Sequence, residues 1–112
     1  MIKIDPEDLI HILTQIRTQA MAENLRVTQH AQQEMVEETI LLDEVLQTIA
    51  TATILENYPT HQRGACCLLG GPTHNGRNLH IGCTTTQPIL IIITVYEPKP
   101  PKWVTPVQRR AK

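Results

Sequence analysis

The chain has 112 residues, 41% of them hydrophobic and 19% charged, which is typical of one globular domain and excludes a mainly disordered chain. Its formal net charge of −1 excludes a strongly basic or acidic protein, and it contains no Phe, so a core of Leu, Ile, Val and Met is expected. The N-terminus lacks a signal-peptide pattern and the longest strongly apolar run, residues 89–95, is too short to span a bilayer, so we expect a cytoplasmic protein without a membrane partner.

The small net charge conceals an asymmetry along the chain. Residues 1–60 hold ten acids and three bases, whereas residues 61–112 hold seven bases and one acid. This split indicates either an anionic partner for the second half or attraction between the two halves inside the fold. In the first case a positive face is expected to be formed by Arg63, Arg77, Lys99, Arg109 and Arg110.

Three helices are predicted in the first half of the chain. Asp5 is a candidate N-cap followed by Pro6 in the first turn, and apolar residues recur at helical spacing to about residue 21. Thr28 is expected to cap a second helix over residues 29–38, with Ala31 and Met35 on its inner face. A third helix is indicated by apolar residues spaced i, i+3, i+4 and i+7, namely Leu42, Val45, Leu46 and Ile49.

The second half of the chain has the pattern of a β-sheet. Strands are predicted over residues 53–58, 65–69, 78–85 and 89–96, and their short connections make the sheet antiparallel. A turn is predicted at the residues Gly70, Gly71, Pro72, Asn75 and Gly76. The last strand is apolar on both faces and is expected to be central, with Ile91, Ile93 and Val95 beneath the first and third helices.

The sequence therefore predicts a single α+β domain, with N-terminal helices packed on a four-stranded antiparallel sheet. The helical half covers about residues 5–52 and the sheet half about residues 53–97. The tail, residues 98–112, is rich in Pro and is expected to run extended along the surface, because Pro cannot donate to a strand ladder. Trp103 is expected to anchor this tail against the domain.

The cysteines and histidines lack the spacing of a metal site. No Cys-x-x-Cys pair occurs, and adjacent cysteines on a strand point to opposite faces, so they cannot easily share a metal. Cys66, Cys67 and Cys83 are therefore interpreted as small buried hydrophobic residues with reduced thiols. No metal and no cofactor are expected.

His30 is the first candidate for acid–base chemistry. In the first turn of the second helix the helix dipole disfavours the imidazolium form, and Glu34, one turn further on, could either oppose this effect or fix the tautomer. A neutral, oriented imidazole is what general base catalysis needs. The alternative is a partly exposed helix histidine with a packing role.

A second set of candidates comes from the sheet half. His80 alternates with apolar neighbours and is expected to point away from the buried face. An imidazole, a guanidinium and hydroxyl groups together are suited to cleaving a phosphodiester, and the sheet half offers His80, Arg63, Thr94 and Tyr96. Exposed polar residues on a sheet face would give the same pattern, so both interpretations stay open.

Several short segments carry a resemblance to a known family. They are residues 29–35 (QHAQQEM), 40–46 (ILLDEVL), 58–59, 63–64, 79–81 and 93–98 (ITVYEP), followed by Trp103, Arg109 and Arg110. Together they resemble a bacterial family that is frequent in cyanobacteria, number 4258 among the domains of unknown function, over about residues 28–110. Two positions depart from the family pattern, because Leu41 stands where a Ser cap is usual and Glu34 where many members carry Arg.

That family is similar to the RelE/ParE-like ribonuclease toxins of the barnase–EndoU–colicin–RelE superfamily, often encoded beside a zinc-ribbon antitoxin of the MqsA/YgiT type. The resemblance implies a RelE-like fold and the toxin of a type II toxin–antitoxin system. Such a toxin would be a metal-independent endoribonuclease with RNA and an antitoxin protein as partners, and a homodimer stays open. The implied catalytic residues are His30, His80, Arg63 and Tyr96, and the implied RNA-binding residues are Trp103, Arg109 and Arg110.

Two other functions are compatible with the same residues. The first is a non-enzymatic binding module of the same fold that regulates a partner protein or RNA, and the second is a metal-binding domain. The low aromatic content of 3% and the small net charge favour the binding module. The presence of His30 and His80 at positions that match the family favours the enzyme.

Overall fold

The structure, a computed structural model, describes residues 6–62, 64–100 and 103–109, and at residues 6–8, 103, 104 and 109 it describes the backbone alone. The three predicted helices are confirmed as α1 (Pro6–Met21), α2 (Gln29–Glu38) and α3 (Leu42–Thr51). The expected cap of α1, Asp5, lies outside the described residues. The helical half of the chain therefore follows directly from the spacing of its apolar residues.

The N-termini of α2 and α3 are capped in different ways. The hydroxyl oxygen of Thr28 accepts a hydrogen bond from the backbone N–H of Ala31 at 3.1 Å, as the sequence predicts. Leu41 has no side-chain acceptor, so α3 lacks that bond. Instead, the carboxylate of Glu44 accepts from the backbone N–H of Leu41 at 3.0 Å, which is the returning half of a capping box.

The strands form a five-stranded mixed sheet. They are β1 (Leu25–Val27), β2 (Thr53–Tyr58), β3 (Cys66–Pro72), β4 (Asn78–Thr84) and β5 (Leu90–Tyr96), in the order β1-β5-β4-β3-β2. The α+β class is confirmed, but the predicted four-stranded antiparallel sheet is wrong because β1 adds a parallel edge strand beside β5. Three residues are too few for the alternation of a strand to be recognised, and the middle of the sheet is β4 rather than β5.

Two glycines that were predicted to form a turn lie inside β3. A Cβ on Gly70 would lie 2.6 Å from Cδ1 of Leu55, and one on Gly71 would lie 3.1 Å from Cα of Ala52. Gly71 therefore allows the backbone at Ala52 to approach β3 closely, whereas a side chain at residue 70 would have to displace that of Leu55. The turn itself spans residues 73–77, where Gly76 has a φ of 81°.

A β-bulge changes which residues of β5 face the core. Gly82 pairs with Thr94 whereas Cys83 pairs with Ile92, so Ile93 is an extra residue. The side chains before and after the bulge alternate in different phases, which buries Leu90, Ile92 and Val95. The prediction of a buried Val95 is confirmed, but Ile91 is only half-buried and Ile93 is 37% exposed, so the predictions for those two residues are wrong.

The tail does not run extended throughout, because a small hairpin follows its prolines. The strands β6 (Trp103–Thr105) and β7 (Gln108–Arg109) pair antiparallel, and the turn between them holds Pro106. Pro residues disfavour strand pairing only where they stand, so the three prolines at 98, 100 and 101 leave the segment after them able to pair. Residues 98–100 form no strand, as predicted.

One face of the sheet packs against α1 and α3 to form an aliphatic core. Its largest fully buried side chains include Ile16, Ile49, Leu69, Leu79, Ile81 and Ile92. Among the described elements no helix packs across the opposite face, although α2 runs beside it along β5. The hairpin β6–β7 covers only part of this face, where Pro106 meets β4. In the parts of the chain that are described, no helix is long and apolar enough to cross a membrane.

The bulge makes the neighbours Ile92 and Ile93 unequal in their contribution to stability. We expect Ile92→Ala to lower the free energy of unfolding by about 2–5 kcal/mol, because it opens a cavity in the core. Ile93→Ala should cost less than about 1 kcal/mol, since its side chain is partly in solvent. Urea unfolding of both variants measures the difference, and equal losses would contradict the bulge.

Candidate functional site

The open face of the sheet carries a cleft of about 650 Å³. Its floor is formed by β3 and β4, one wall by β5 with α2, and the other wall by β2 with the loop that follows it. The strands of the two walls, β5 and β2, lie three strand spacings apart in the sheet, which is roughly 14 Å. The polar and aromatic side chains that line the two walls are His30, Glu34, Thr94, Tyr96, Glu56, Tyr58 and His61.

His30 stands on the first wall because the cap at Thr28 starts α2 two residues earlier. Its side chain is 69% exposed, and its Nε2 lies 3.3 Å from Oε1 of Glu34, one helical turn further on. A carboxylate oxygen can only accept, so the proton of the neutral imidazole belongs on Nε2. The lone pair is then on Nδ1, which leaves that nitrogen as the basic one.

The carboxylate of Glu34 is itself held by the sheet. Its Oε1 accepts from the hydroxyl of Thr94 at 2.5 Å and from the backbone N–H of Val95 at 3.0 Å. One turn later, Glu38 accepts from the backbone N–H of Glu97 at 3.0 Å. The strand β1 pairs with β5 only as far as Ile92. Beyond that residue the two carboxylates of α2 accept the hydrogen bonds from the edge of β5 that a neighbouring strand would otherwise accept.

The second wall repeats the same types of side chain on β2. The hydroxyl of Tyr58 donates to the carboxylate of Glu56, two residues away on the same face of the strand. His61 follows in the loop after β2 and is exposed. The sequence analysis did not single out His61 and so missed it as a cleft residue. The signal that could have found it is its position three residues after Tyr58, in the loop that closes the strand.

Gly82 contributes no side chain to the floor of the cleft. A Cβ at this position would lie 2.7 Å from Cγ2 of Thr94, which is already fixed by Glu34. Cys66 also lines the cleft, and burial, with a smaller contribution from the neighbouring Cys67, raises the pKa of its thiol above the ordinary value.

His80 lies on the same open face but not in the cleft. The hairpin β6–β7 covers it, so that its side chain is 1% exposed. Its Nδ1 lies 3.3 Å from the hydroxyl oxygen of Tyr96, and its Nε2 contacts the carbonyl oxygen of Pro106. The structure therefore brings His30 and Tyr96 to one cleft and places His80 behind Tyr96, where solvent does not reach it.

The predicted cationic residues are placed in different environments. Arg77 is not part of an open positive face, because its guanidinium donates to the backbone carbonyl oxygens of Glu38 and Thr39 at the end of α2. Glu44 and Glu97 also lie within 3.6 Å of it. Of the remaining predicted residues, Lys99 is exposed beside Glu97, the side chains of Trp103 and Arg109 are not described, and Arg63 and Arg110 lie outside the described residues.

The cysteines occupy both faces of the sheet, as adjacent strand residues must. Cys67 and Cys83 are directly opposite each other on β3 and β4, buried on the core face, with their Sγ atoms 4.0 Å apart. The hydrogen bond with Cys67, together with burial, raises the pKa of Cys83 well above its ordinary value. Within the described ranges no group of three potential ligands is arranged to hold a metal ion.

Comparison with known proteins gives one match. The family model described as Domain of unknown function (DUF4258) matches residues 27–97. The chain belongs to this family. The residues of the DUF4258 match include both walls and the floor of the cleft, whereas α1 and the hairpin β6–β7 lie beyond it. No match was found among curated proteins or among solved structures.

The edge contacts of Glu34 predict a stability effect that an ordinary helix carboxylate would not have. Glu34→Ala should lower the free energy of unfolding by about 2–3 kcal/mol, because it leaves the Thr94 hydroxyl and the Val95 N–H without their acceptor. Glu37→Ala, at an exposed position of the same helix, is the matched control and should change it by less than about 0.5 kcal/mol. Chemical denaturation of both variants decides, and equal effects would contradict the edge role.

The thiols should react in the order of their exposure. Cys66 is the accessible thiol, and its raised pKa keeps it protonated at neutral pH, so alkylation by iodoacetamide should be slow at pH 7 and accelerate as the pH rises beyond 9. Cys67 and Cys83 should react only after unfolding, since both are buried. Mass spectrometry of digested protein measures each site. Labelling of Cys83 as fast as Cys66 in the native protein would refute the assignment.

Proposed function

We propose that this DUF4258 protein is a metal-independent endoribonuclease that cuts RNA in the cleft of the open sheet face. One observation carries the proposal: two imidazoles, His30 and His61, line a single cleft from opposite walls. Cleavage through the ribose 2′-hydroxyl needs one group that removes a proton and another that donates one, on opposite sides of the phosphate. Two histidines across a cleft offer these two kinds of group without a metal ion.

His30 is suited to the role of general base. Glu34 holds its Nε2–H, so Nδ1 carries the lone pair that takes the proton of the 2′-hydroxyl. The 2′-oxygen then attacks phosphorus and forms the P–O2′ bond. Because Glu34 is fixed by Thr94 and Val95, the orientation of the imidazole is set before substrate arrives.

His61 is suited to the role of general acid on the opposite wall. As the P–O5′ bond breaks, a protonated His61 gives its proton to the leaving 5′-oxygen. The products are a 2′,3′-cyclic phosphate and a 5′-hydroxyl, and each imidazole ends in the protonation state with which the other began. Tyr58 and Tyr96 supply aromatic surfaces on which a base can stack.

The cation that would stabilise the pentacoordinate phosphate is assigned to Arg63. This residue follows His61 by two positions in the sequence, and the resemblance of residues 63–64 to the family pattern supports it. Trp103, Arg109 and Arg110 would extend the contact with RNA beyond the cleft. His80, which the resemblance implies is catalytic, is covered by the hairpin β6–β7 and takes no direct part in this mechanism.

The toxin assignment is also a proposal, supported by the resemblance to RelE/ParE-like ribonuclease toxins. A RelE-like toxin would be held inactive by a cognate antitoxin, of the zinc-ribbon MqsA/YgiT type by the same resemblance. Induced expression in a bacterial host should then stop growth, and His30→Ala should restore it. Growth arrest by both the wild type and His30→Ala would show that toxicity does not depend on the proposed chemistry.

A second function is favoured by one observation. Among the cleft residues that the structure describes, there is no Lys or Arg. A cleft with aromatic walls and no cation is suited to binding a partner without cleaving it. A non-enzymatic module that regulates a partner protein or RNA is therefore the alternative.

Cleavage assays separate the two functions. We expect His30→Ala and His61→Ala each to lower kcat/KM for a single-stranded RNA by about 10²–10⁴-fold, with a bell-shaped pH dependence in the wild type. His74→Ala, at an exposed histidine on the β3–β4 turn outside the cleft, is the matched control and should leave the rate unchanged. The rate should be insensitive to EDTA, and it is measured on free RNA and on translating ribosomes.

The products test the mechanism independently of the rate. Mass spectrometry should find a 2′,3′-cyclic phosphate, and an RNA with 2′-O-methyl groups should bind but resist cleavage. Binding of both RNAs without cleavage of either would favour the binding module. Failure to bind or cleave any RNA would refute the nuclease.

A further inference from the structure

His80 is the most deeply buried ionisable side chain on the open face of the sheet. It lies directly opposite Gly70 on β3 and Tyr96 on β5, and the hairpin β6–β7 closes over it at Pro106. Its ring packs edge-on against the ring of Tyr96, with centroids 5.3 Å apart and an interplanar angle of 64°. Four segments of the chain, β3, β4, β5 and the hairpin, thus meet at one imidazole.

The two ring nitrogens of His80 have different partners. The carbonyl oxygen of Pro106 can only accept, so Nε2 must carry a proton. In the neutral imidazole Nδ1 then has the lone pair, and the hydroxyl of Tyr96 donates to it across 3.3 Å. The hairpin therefore selects the tautomer of His80, and the tautomer decides that Tyr96 is the donor.

We propose that His80 is a positioning residue that fixes the Tyr96 ring as a wall of the cleft. Tyr96 lines the cleft, whereas His80 lies behind it with 1% of its side chain exposed. A substrate phosphate in the cleft cannot reach an imidazole that the hairpin covers, so His80 acts through Tyr96. The chain continues past the DUF4258 match to supply the carbonyl group that sets this arrangement.

The consequence for substrate binding rests on the proposed function, since Tyr96 is there the surface on which an RNA base stacks. A ring held by a hydrogen bond and an edge contact loses less conformational freedom on binding than a mobile one. Loosening Tyr96 should therefore raise KM for RNA and change kcat much less. A catalytic His80 would give the opposite split, with the loss in kcat.

Two substitutions of His80 separate its two hydrogen bonds. His80→Gln places an amide near the position of Nε2, which keeps a donor for Pro106 and removes the acceptor for Tyr96. His80→Asn places its amide near the position of Nδ1, which keeps an acceptor for Tyr96 and releases the hairpin. Tyr96→Phe keeps the ring and removes the hydroxyl, so it is the matched control for the first variant.

The cleavage kinetics of these variants test the positioning role. We expect His80→Gln and Tyr96→Phe each to lower kcat/KM about tenfold through KM, the double variant to lose no more than either single one, and His80→Asn to stay within about threefold of wild type. A loss in kcat of about 100-fold or more that adds to that of Tyr96→Phe would overturn the proposal in favour of direct catalysis.

A spectroscopic readout keeps the inference testable if the variants fold poorly or RNA is not the substrate. Side-chain ¹⁵N spectra of the wild type should show His80 as the neutral Nε2–H tautomer, and the Nδ1–H tautomer or an imidazolium would overturn the proposal. The single Trp, residue 103, lies in β6, so its emission reports on the hairpin. It should shift in His80→Asn and stay at the wild-type wavelength in His80→Gln, and the reverse pattern would contradict the assigned bonds.

The same measurements distinguish failure of this inference from failure of the proposed function. A wild type that neither binds nor cleaves RNA refutes the nuclease, while the tautomer and the Trp emission still decide whether the hairpin and Tyr96 are joined through His80. A wild type that cleaves RNA with an Nδ1–H tautomer at His80 supports the nuclease and refutes the positioning role.

Discussion

The free edge of β5 is the constraint on which the rest of the site depends. Where the short strand β1 ends, the backbone N–H groups of Val95 and Glu97 would have no partner, and α2 supplies the carboxylates of Glu34 and Glu38 in their place. This requirement fixes α2 along the strand, in register with it. The same contact places Thr94 over Gly82 and His30 beside Glu34, so one solution to an unpaired strand edge builds an entire wall of the cleft.

The two faces of the sheet carry different kinds of side chain. The aliphatic core uses the face under α1 and α3, where the side chains of alternate strand residues are apolar. No helix in the described part of the chain packs across the other face, which α2 borders along β5. This face carries the imidazoles, phenols and carboxylates that the core could not bury without cost. The bulge at Ile93 lets β5 serve both faces, because it moves Val95 into the core while Thr94 and Tyr96 stay on the open side.

The hairpin β6–β7 makes the two ends of the open face different. Over the cleft the face is accessible, and His30 and His61 lie at its sides. Over His80 the hairpin excludes solvent. Each ring nitrogen of His80 has a hydrogen-bond partner within the protein. The histidines of this face therefore have unlike environments, and Tyr96 lies between the cleft, which it lines, and His80, which it contacts.

The sequence by itself determined the three helices, four of the five sheet strands, and the cap at Thr28, because these follow from local spacing and side-chain type. It also picked out His30 and Tyr96 as candidates. Only the tertiary structure decided that β1 pairs parallel with β5, that a bulge turns Ile93 outward, that His61 joins the cleft and that His80 lies beneath the hairpin. The physical reason is that each of these depends on contacts between residues far apart in the chain, which local periodicity does not encode.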